Sequence, residues 1–334
     1  MKSAIVGCGG ISRVHAQVLS QASFTDLVAC ADIKPERAQT RAAEHGAKPY
    51  TDYIEMLETE KPDVLHICTP HVLHVPMAIE ALKRGVNVFM EKPAAISVEQ
   101  FAALQEAAKT SGAKIGICFQ NRFNPTTKEM KALLADAKAG KPLGARAFVT
   151  WHREAPYYVD SGWRGSLETE GGSVLINQSI HTMDLLVHLL GKPVEIEATA
   201  TNRHLKGVIE TEDTLEAHIR FASGATAIFY ATTAYVVDSP VLVEVVCENR
   251  LIRFEGDDIT VKEADGASRT STLKNDAAIG KSYWGSGHGA CIEAFYASLG
   301  GGEPFMNGLD SVADTMALTF AAYESARTGK PVTL

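Results

Sequence analysis

The stretch Lys2-Ser3-Ala4-Ile5-Val6-Gly7-Cys8-Gly9-Gly10-Ile11-Ser12 decides the fold. Residues 2–6 have the length and apolar character of a buried strand, and a glycine turn carries the chain into a helix over about 11–20. The turn needs a small residue at Gly7. Gly9 lets backbone approach a pyrophosphate, Gly10 and Ile11 lead into the helix, and Ser12 replaces a third glycine while staying small enough for helix–sheet packing. The helix start offers N–H groups and a favourable dipole to phosphate. Glycines alone would suit any tight strand-to-helix turn. The next apolar run, 27–32, ends on Asp32, 25 residues after Gly7, and supplies the other half of a dinucleotide-binding fingerprint.

Asp32 also bears on cofactor choice. A carboxylate accepts hydrogen bonds from ribose hydroxyls and repels a 2′-phosphate, so NAD is expected over NADP, with Arg13 and Arg37 as the cations that would favour the latter. Helix capping is the other use open to Asp32, because Pro35 sits near the first position of the following helix.

Outward from this segment the rhythm continues. A helix over 34–44, a strand over 63–70, a helix from His74 to a stop at Gly85, a strand over 87–90, a capping-box start at Ser97 and a strand over 114–119 follow in turn. Continuous apolar strands alternating with helices predict a doubly wound parallel sheet, a Rossmann domain over residues 1–120. The pattern then changes. A helix (125–139), a strand (145–151), an irregular stretch with Tyr157, Tyr158, Trp163 and Arg164, and a long helix (173–190) precede five closely spaced strands at 194–200, 215–221, 225–233, 241–247 and 251–254. Turns such as Ser223-Gly224 between them, and final helices over 288–299 and 309–328, predict an α/β domain over 121–334 with a large, mostly antiparallel open sheet.

Composition agrees with two domains, since 334 residues exceed the roughly 250–300 at which one core stops growing. A net charge of −8 without Lys/Arg runs argues against nucleic acid or an anionic membrane as partner, and no window approaches 18 consecutive apolar residues. The chain enters its first strand with no signal-peptide pattern, and its six cysteines are scattered without a C-x-x-C pair, so a cytoplasmic protein with reduced thiols is expected.

Two further segments carry chemistry. In Glu91-Lys92-Pro93 a lysine ends an apolar strand at the carboxyl edge where doubly wound sheets place ligands; it is either a working group or a solvated strand-end lysine paired with Glu91. In Glu170-Gly171-Gly172-Ser173-Val174-Leu175-Ile176-Asn177-Gln178-Ser179-Ile180-His181-Thr182-Met183-Asp184, helical spacing puts Asn177, His181 and Asp184 on one face. That stripe fits a ligand pocket or a buried structural histidine. A metal held by His181, Asp184 and His188 has permissive spacing but no further ligand cluster, and no metal is expected.

The motifs Gly7-x-Gly9-x-Ile11-Ser12-x-x-His15, Asp32, Cys68-Thr69-Pro70 with His74, Glu91-Lys92-Pro93, Gly-Gly…His181-x-x-Asp184 and the terminal Tyr323-Glu324-Ser325-Ala326-Arg327-Thr328-Gly329 resemble, in order along nearly the whole chain, the Gfo/Idh/MocA oxidoreductases. The resemblance implies oxidation or reduction of a sugar, cyclitol or related carbonyl with NAD(P), and a homodimer or homotetramer formed through the second domain's sheet. It places Lys92 and His181 on the family's catalytic lysine and histidine: His181 takes the hydroxyl proton as hydride leaves carbon, and Lys92 donates to the oxygen. Gly7, Gly9, Gly10, Ile11, Ser12, Asp32, Thr69, Pro70, His74, Glu91 and Lys92 are the expected cofactor residues. Lys92, Arg122, Tyr157, Trp163, Arg164, Asn177, His181 and His288 are the expected substrate residues. Many members carry Asp where this chain has Asn177, and an amide cannot accept a proton as a base. A glycosidase that retains NAD and passes through a 3-keto sugar, or a non-catalytic NAD-dependent regulator, would share the same scaffold.

Overall fold

The computed structural model describes residues 1–273 and 285–334. The chain forms two compact units, one of Met1–Phe119 with His288–Val312 and one of Gln120–Gly287 with Ala313–Leu334. This corrects the expected contiguous second domain: residues 288–312 return to the first unit, where the Asn307 backbone carbonyl accepts from Ile117 N–H (3.0 Å) and its side-chain amide donates to the Phe119 carbonyl (3.1 Å).

In the first unit the strands β1 (Lys2–Val6), β2 (Asp26–Ala31), β3 (Lys48–Tyr50), β4 (Val64–Ile67), β5 (Asn87–Glu91) and β6 (Ile115–Cys118) alternate with helices α1 (Ser12–Gln21), α2 (Pro35–His45), α3 (Tyr53–Glu60), α4 (His74–Lys83) and α5 (Val98–Ser111). The six strands are all parallel in the order β3-β2-β1-β4-β5-β6. The order reverses between β1 and β4, and ligands of such sheets bind outside the carboxyl ends of the strands at that point. The short β3 and α3 escaped the sequence reading because Lys48-Pro49-Tyr50 has no apolar run.

In the second unit, α6 (Pro125–Ala135), β7 (Pro142–Thr150), α7 (Ala155–Val159) and α8 (Ile180–Leu190) lead into β8 (Pro193–Thr201), β9 (Thr214–Phe221), β10 (Thr226–Thr232), β11 (Leu242–Cys247), β12 (Arg250–Glu255), β13 (Asp258–Glu263) and β14 (Ser268–Thr272). Together with β15 (Val332–Thr333) they form a nine-stranded sheet in the order β14-β13-β12-β11-β7-β10-β9-β8-β15, antiparallel except for β7 beside β10. Alternate residues of one face, such as Val243, Val245, Ile219 and Phe229, are buried against α8 and the long helix α10 (Leu309–Thr328). The opposite face carries a row in cross-strand register, His218, Ile228, Arg146, Glu244, Arg253 and Thr260, polar apart from Ile228. Helix α9 (His288–Leu299) belongs to the first unit.

One local difference matters for the site. The helix expected over 173–190 begins as a π-helix, Val174–Ser179, before α8. The wider turn contains Asn177, while His181 and Asp184 lie in α8.

Candidate functional site

The glycine loop of the first unit is built for a close backbone ligand. Gly7 has φ +88°, and a Cβ there would lie 2.6 Å from the Cys68 carbonyl oxygen, so only glycine fits. At Gly9 and Gly10 an added Cβ would meet nothing within 4 Å; the backbone there borders open space. Ile11 is the N-cap of α1 and makes no side-chain cap, which leaves the first-turn N–H groups to an anion. Ser12 Oγ donates to the Gly9 carbonyl (2.7 Å) and accepts from buried Arg41 Nε (3.2 Å), fixing the loop from behind. Asp32 accepts from Cys8 N–H (2.8 Å) and Lys34 N–H (2.9 Å), tying the loops after β1 and β2 together. Lys34, not Asp32, is the N-cap of α2, so the capping alternative falls. Each carboxylate oxygen keeps a lone pair for a ribose hydroxyl. On the loop after β4, Thr69 Oγ1 is buried with no partner among the described residues, next to half-buried Pro70. An open glycine cradle, an uncapped helix start and a carboxylate at the second strand end fit NAD.

Two of the expected cofactor residues have their side chains engaged within the first unit. His74 is fully buried; its Nδ1 lies 2.9 Å from the Pro93 carbonyl and its Nε2 3.0 Å from the Thr69 carbonyl, so it latches two loops to each other. Glu91 is also buried and turned into the protein, with Oε1 2.9 Å from His15 Nε2. The other nitrogen of His15 meets His66 Nδ1 (2.9 Å), and His66 Nε2 meets the Tyr296 hydroxyl (3.0 Å). Burial disfavours a charge on His15, but the neighbouring Cys68 and Cys118 thiols and Glu91 hold its pKa well above the ordinary value. Burial also opposes ionisation of Glu91, and the bond and charge of His15 outweigh it, holding that carboxyl well below the usual range. Burial and the His15 charge push His66 down. The chain is therefore directional: cationic His15 donates both to Glu91 and to neutral His66, which donates to Tyr296. His15, Glu91 and Cys118 are the one group among the described residues whose potential metal-ligand atoms lie within 4.8 Å of one another, and this ion pair occupies two of its three members.

Lys92 ends this strand, half-buried, immediately after Glu91. His288 opens α9 in the same unit; burial pushes its pKa down to about 4, against the opposing charge of Glu91, so it is neutral at working pH. It is buried rather than displayed as the expected substrate ligand.

In the second unit, Arg122 departs from expectation. It is buried with Nε 2.8 Å and Nη2 2.5 Å from the two carboxylate oxygens of Asp184, and Thr315 Oγ1 donates to the same carboxylate (2.7 Å). This is a fully desolvated framework pair rather than a hand held out to ligand. It also removes Asp184 from any metal set with His181, while His188 faces Lys131. Half-buried His181 has Nε2 3.4 Å from Gln120 Nε2. An amide nitrogen only donates, so His181 Nε2 carries the lone pair, the state a proton acceptor requires. Tyr157, Trp163 and Arg164 pack together: the Arg164 guanidinium lies 4.4 Å from the Tyr157 ring centre and 4.9 Å from that of Trp163. Gln178 Nε2 donates to the Tyr157 hydroxyl (2.7 Å).

Asn177 is bonded to a residue that the sequence reading passed over. Its Nδ2 donates to Oε1 of buried Glu170 (2.5 Å), whose Oε2 accepts from Gly165 N–H (2.5 Å). Behind it, Glu212 accepts from Ser173 N–H, Leu175 N–H (both 3.0 Å) and the Tyr323 hydroxyl (2.9 Å). Gly172 is required here because a Cβ would collide with that hydroxyl. Glu170 stood in the quoted segment, and a carboxylate before two glycines at a helix start was the available signal. His66 and Tyr296 gave none.

Residues 1–119 match the family model described as oxidoreductase family, NAD-binding Rossmann fold, and residues 127–253 match the GFO/IDH/MocA C-terminal domain. D-glucoside 3-dehydrogenase of Escherichia coli K12 is 30% identical over 197 residues, a match spanning 58% of this chain and about half, 55%, of that protein. 1,5-Anhydro-D-fructose reductase of Ensifer adhaerens is 25% identical over 98% of this chain and 96% of its own length. Among solved structures, the WlbA dehydrogenase from Bordetella pertussis, in complex with NADH and UDP-GlcNAcA, is similar over 100% of this chain and 98% of its own, with a TM-score of 0.86 and 27% identity. No described helix is long and apolar enough to cross a membrane.

Proposed function

This chain belongs to the Gfo/Idh/MocA oxidoreductases, and from that premise we propose that it is an NAD-dependent dehydrogenase or reductase acting on a hydroxyl or carbonyl carbon of a sugar, cyclitol or sugar derivative. The observation that carries the reading is the glycine cradle beside Asp32 together with Lys92 at the carboxyl end of β5 in the same sheet. Bound nicotinamide would supply the hydride acceptor or donor. Lys92 steadies charge on the reacting oxygen, His181 takes or returns its proton at Nε2, and Asn177 with the Tyr157–Trp163–Arg164 group orients the sugar. In this reading the first unit holds the dinucleotide and the second the substrate. The polar face of the nine-stranded sheet, where Arg146 pairs with Glu244 (2.8 Å), is the surface through which copies of the chain assemble as a dimer or tetramer. A sedimentation mass of one chain would overturn that last point. Six buried, unbridged cysteines favour the cytoplasm.

The deciding experiment is a screen for NADH formation over inositols, free sugars, sugar acids and nucleotide sugars. Turnover on one class supports the proposal. Release of nitrophenol from an aryl glycoside without net NADH would favour the NAD-retaining glycosidase instead, and tight NAD binding without turnover would favour a regulator.

Cofactor preference gives a sharper test. NAD is expected to bind more tightly than NADP, because a 2′-phosphate about 4 Å from the Asp32 carboxylate costs on the order of 1–4 kcal/mol per charge pair. Asp32→Ser narrows the gap, and it also loosens both complexes somewhat, since one hydroxyl cannot replace the two bonds from Cys8 and Lys34. Calorimetric titration giving tighter NADP than NAD for the wild type would overturn the assignment.

A further inference from the structure

Arg164 is half-buried, and every other buried or half-buried arginine among the described residues ends on a carboxylate: Arg41 on Glu44, Arg122 on Asp184, Arg153 on Asp238, Arg250 on Asp136 and Glu263, and Arg253 on Glu255. Arg164 does not. Among the described residues its side chain forms no ion pair and no hydrogen bond. We propose that Arg164 is the counter-charge for an anionic group on the substrate, so that the compound oxidised or reduced is an acidic sugar derivative bearing a carboxylate or a phosphate. The inference rests on the reading above, in which the Tyr157–Trp163–Arg164 group orients the sugar.

The contacts of this guanidinium hold it without neutralising it. Its carbon lies 4.4 Å from the Tyr157 ring centre and 4.9 Å from that of Trp163, and an aromatic face attracts a cation but carries no net charge. Nε is sealed from solvent with no partner, which raises the cost of leaving the charge uncompensated. The two terminal nitrogens are not sealed. They form the open edge of a planar fork that matches the paired oxygens of a carboxylate or phosphate. Arg153 makes the contrast plain: its guanidinium carbon lies 5.4 Å from the same Tyr157 ring, but Asp238 pairs with it at 2.7 Å. The carboxyl that feels the charge of Arg164 is Glu170, whose oxygens bond Gly165 N–H and Asn177 Nδ2 and make no ion pair with it. Tyr157 adds a second donor beside the fork. Its oxygen accepts from Gln178 Nε2 (2.7 Å), which leaves the hydroxyl hydrogen to an outside acceptor.

The backbone fixes this group before a ligand arrives. Ser161 Oγ accepts from Trp163 N–H (3.3 Å) and Arg164 N–H (2.9 Å), and Thr169 Oγ1 donates to the Trp163 carbonyl (2.6 Å). Gly165 follows at φ +78°, with Ile209 packed where a Cβ would stand. A cation braced in this way loses little further freedom on binding, so more of the pairing energy goes into discrimination. The whole chain, at a net −8, repels anions, and a preference for one must therefore come from a local group such as this.

Matched trios of compounds test the proposal: D-glucose, D-glucuronate and D-glucose 6-phosphate, with the corresponding galactose and N-acetylglucosamine sets. Each is titrated calorimetrically into the NAD-loaded protein and assayed for NADH formation. In at least one trio an anionic member is expected to bind about ten- to a hundredfold more tightly than the neutral one, the range of a charge-assisted pair. The same member gives the higher kcat/KM. A leading uronate identifies the group as carboxylate, and a leading ester identifies it as phosphate. Arg164→Gln is expected to bring the members of that trio to within about threefold of one another, chiefly through KM. Arg164→Lys, which keeps the charge without the fork, retains part of the preference, and raised salt narrows the wild-type gap. Thermal denaturation checks that both variants fold; the lysine variant and the salt series carry the test if Arg164→Gln does not. A neutral sugar that binds as well as its anionic partners in every trio overturns the proposal, and so does a lack of binding by all of them. A preference that survives intact in Arg164→Gln belongs to another cation and overturns it too. A preference that Arg164→Gln removes, without NADH from any compound, defeats the dehydrogenase reading and leaves the anion site standing.

Discussion

Lys92→Met is expected to lower kcat by roughly a hundredfold or more while leaving folding and NAD affinity close to wild type, the usual scale for loss of one charge-stabilising donor. The substitution keeps the length and apolar stem of the side chain and removes only the ammonium. The competing reading made Lys92 a strand-end lysine paired with Glu91. Glu91 also has another partner: its Oε1 lies 2.9 Å from His15 in a buried pair, and the charges of both His15 and Lys92 lower its pKa. Steady-state kinetics at saturating NAD decide the matter. A variant that kept most of its kcat would make Lys92 structural and remove the family's catalytic assignment at this position.

His181→Ala is expected to lower kcat by roughly 10²–10⁴-fold, the range for a general acid–base. Oxidation should gain rate as pH rises through the ionisation of the acceptor, and reduction should favour the protonated form. Gln120 marks the working atom, since its amide N–H lies 3.4 Å from Nε2, where a substrate hydroxyl would donate instead. Burial pushes His288 down to about 4, which makes it a weak base beside an ordinary imidazole. If the inflection of kcat/KM with pH survives in His181→Ala, another group, Lys92 or His288, takes the proton and the assignment to His181 fails. Asn177→Asp is a poor probe of this relay: its new carboxylate would lie against Glu170, and the pair would share one proton before either influenced His181.

The sequence by itself determined the elements and the cradle. Apolar runs of strand length, helix periods and a glycine turn are local signals, and each reports the φ/ψ or burial that its own few residues need. The β1–α1 loop, the parallel sheet of the first unit, and helix α10 over Leu309–Thr328 were therefore readable in advance. Tertiary structure decided the partners of buried polar groups. His66 and Tyr296 meet across 230 positions, Arg122 and Asp184 across 62, and Glu212 and Tyr323 across 111. No local pattern encodes such a bond; it exists because a buried donor or acceptor must be satisfied by whatever the packing of distant segments brings within about 3 Å. The π-turn over Val174–Ser179 has the same origin. A helical period predicted a regular helix from Ser173 onward, while the bonds that Glu170 and Glu212 make to this segment accompany a wider turn there.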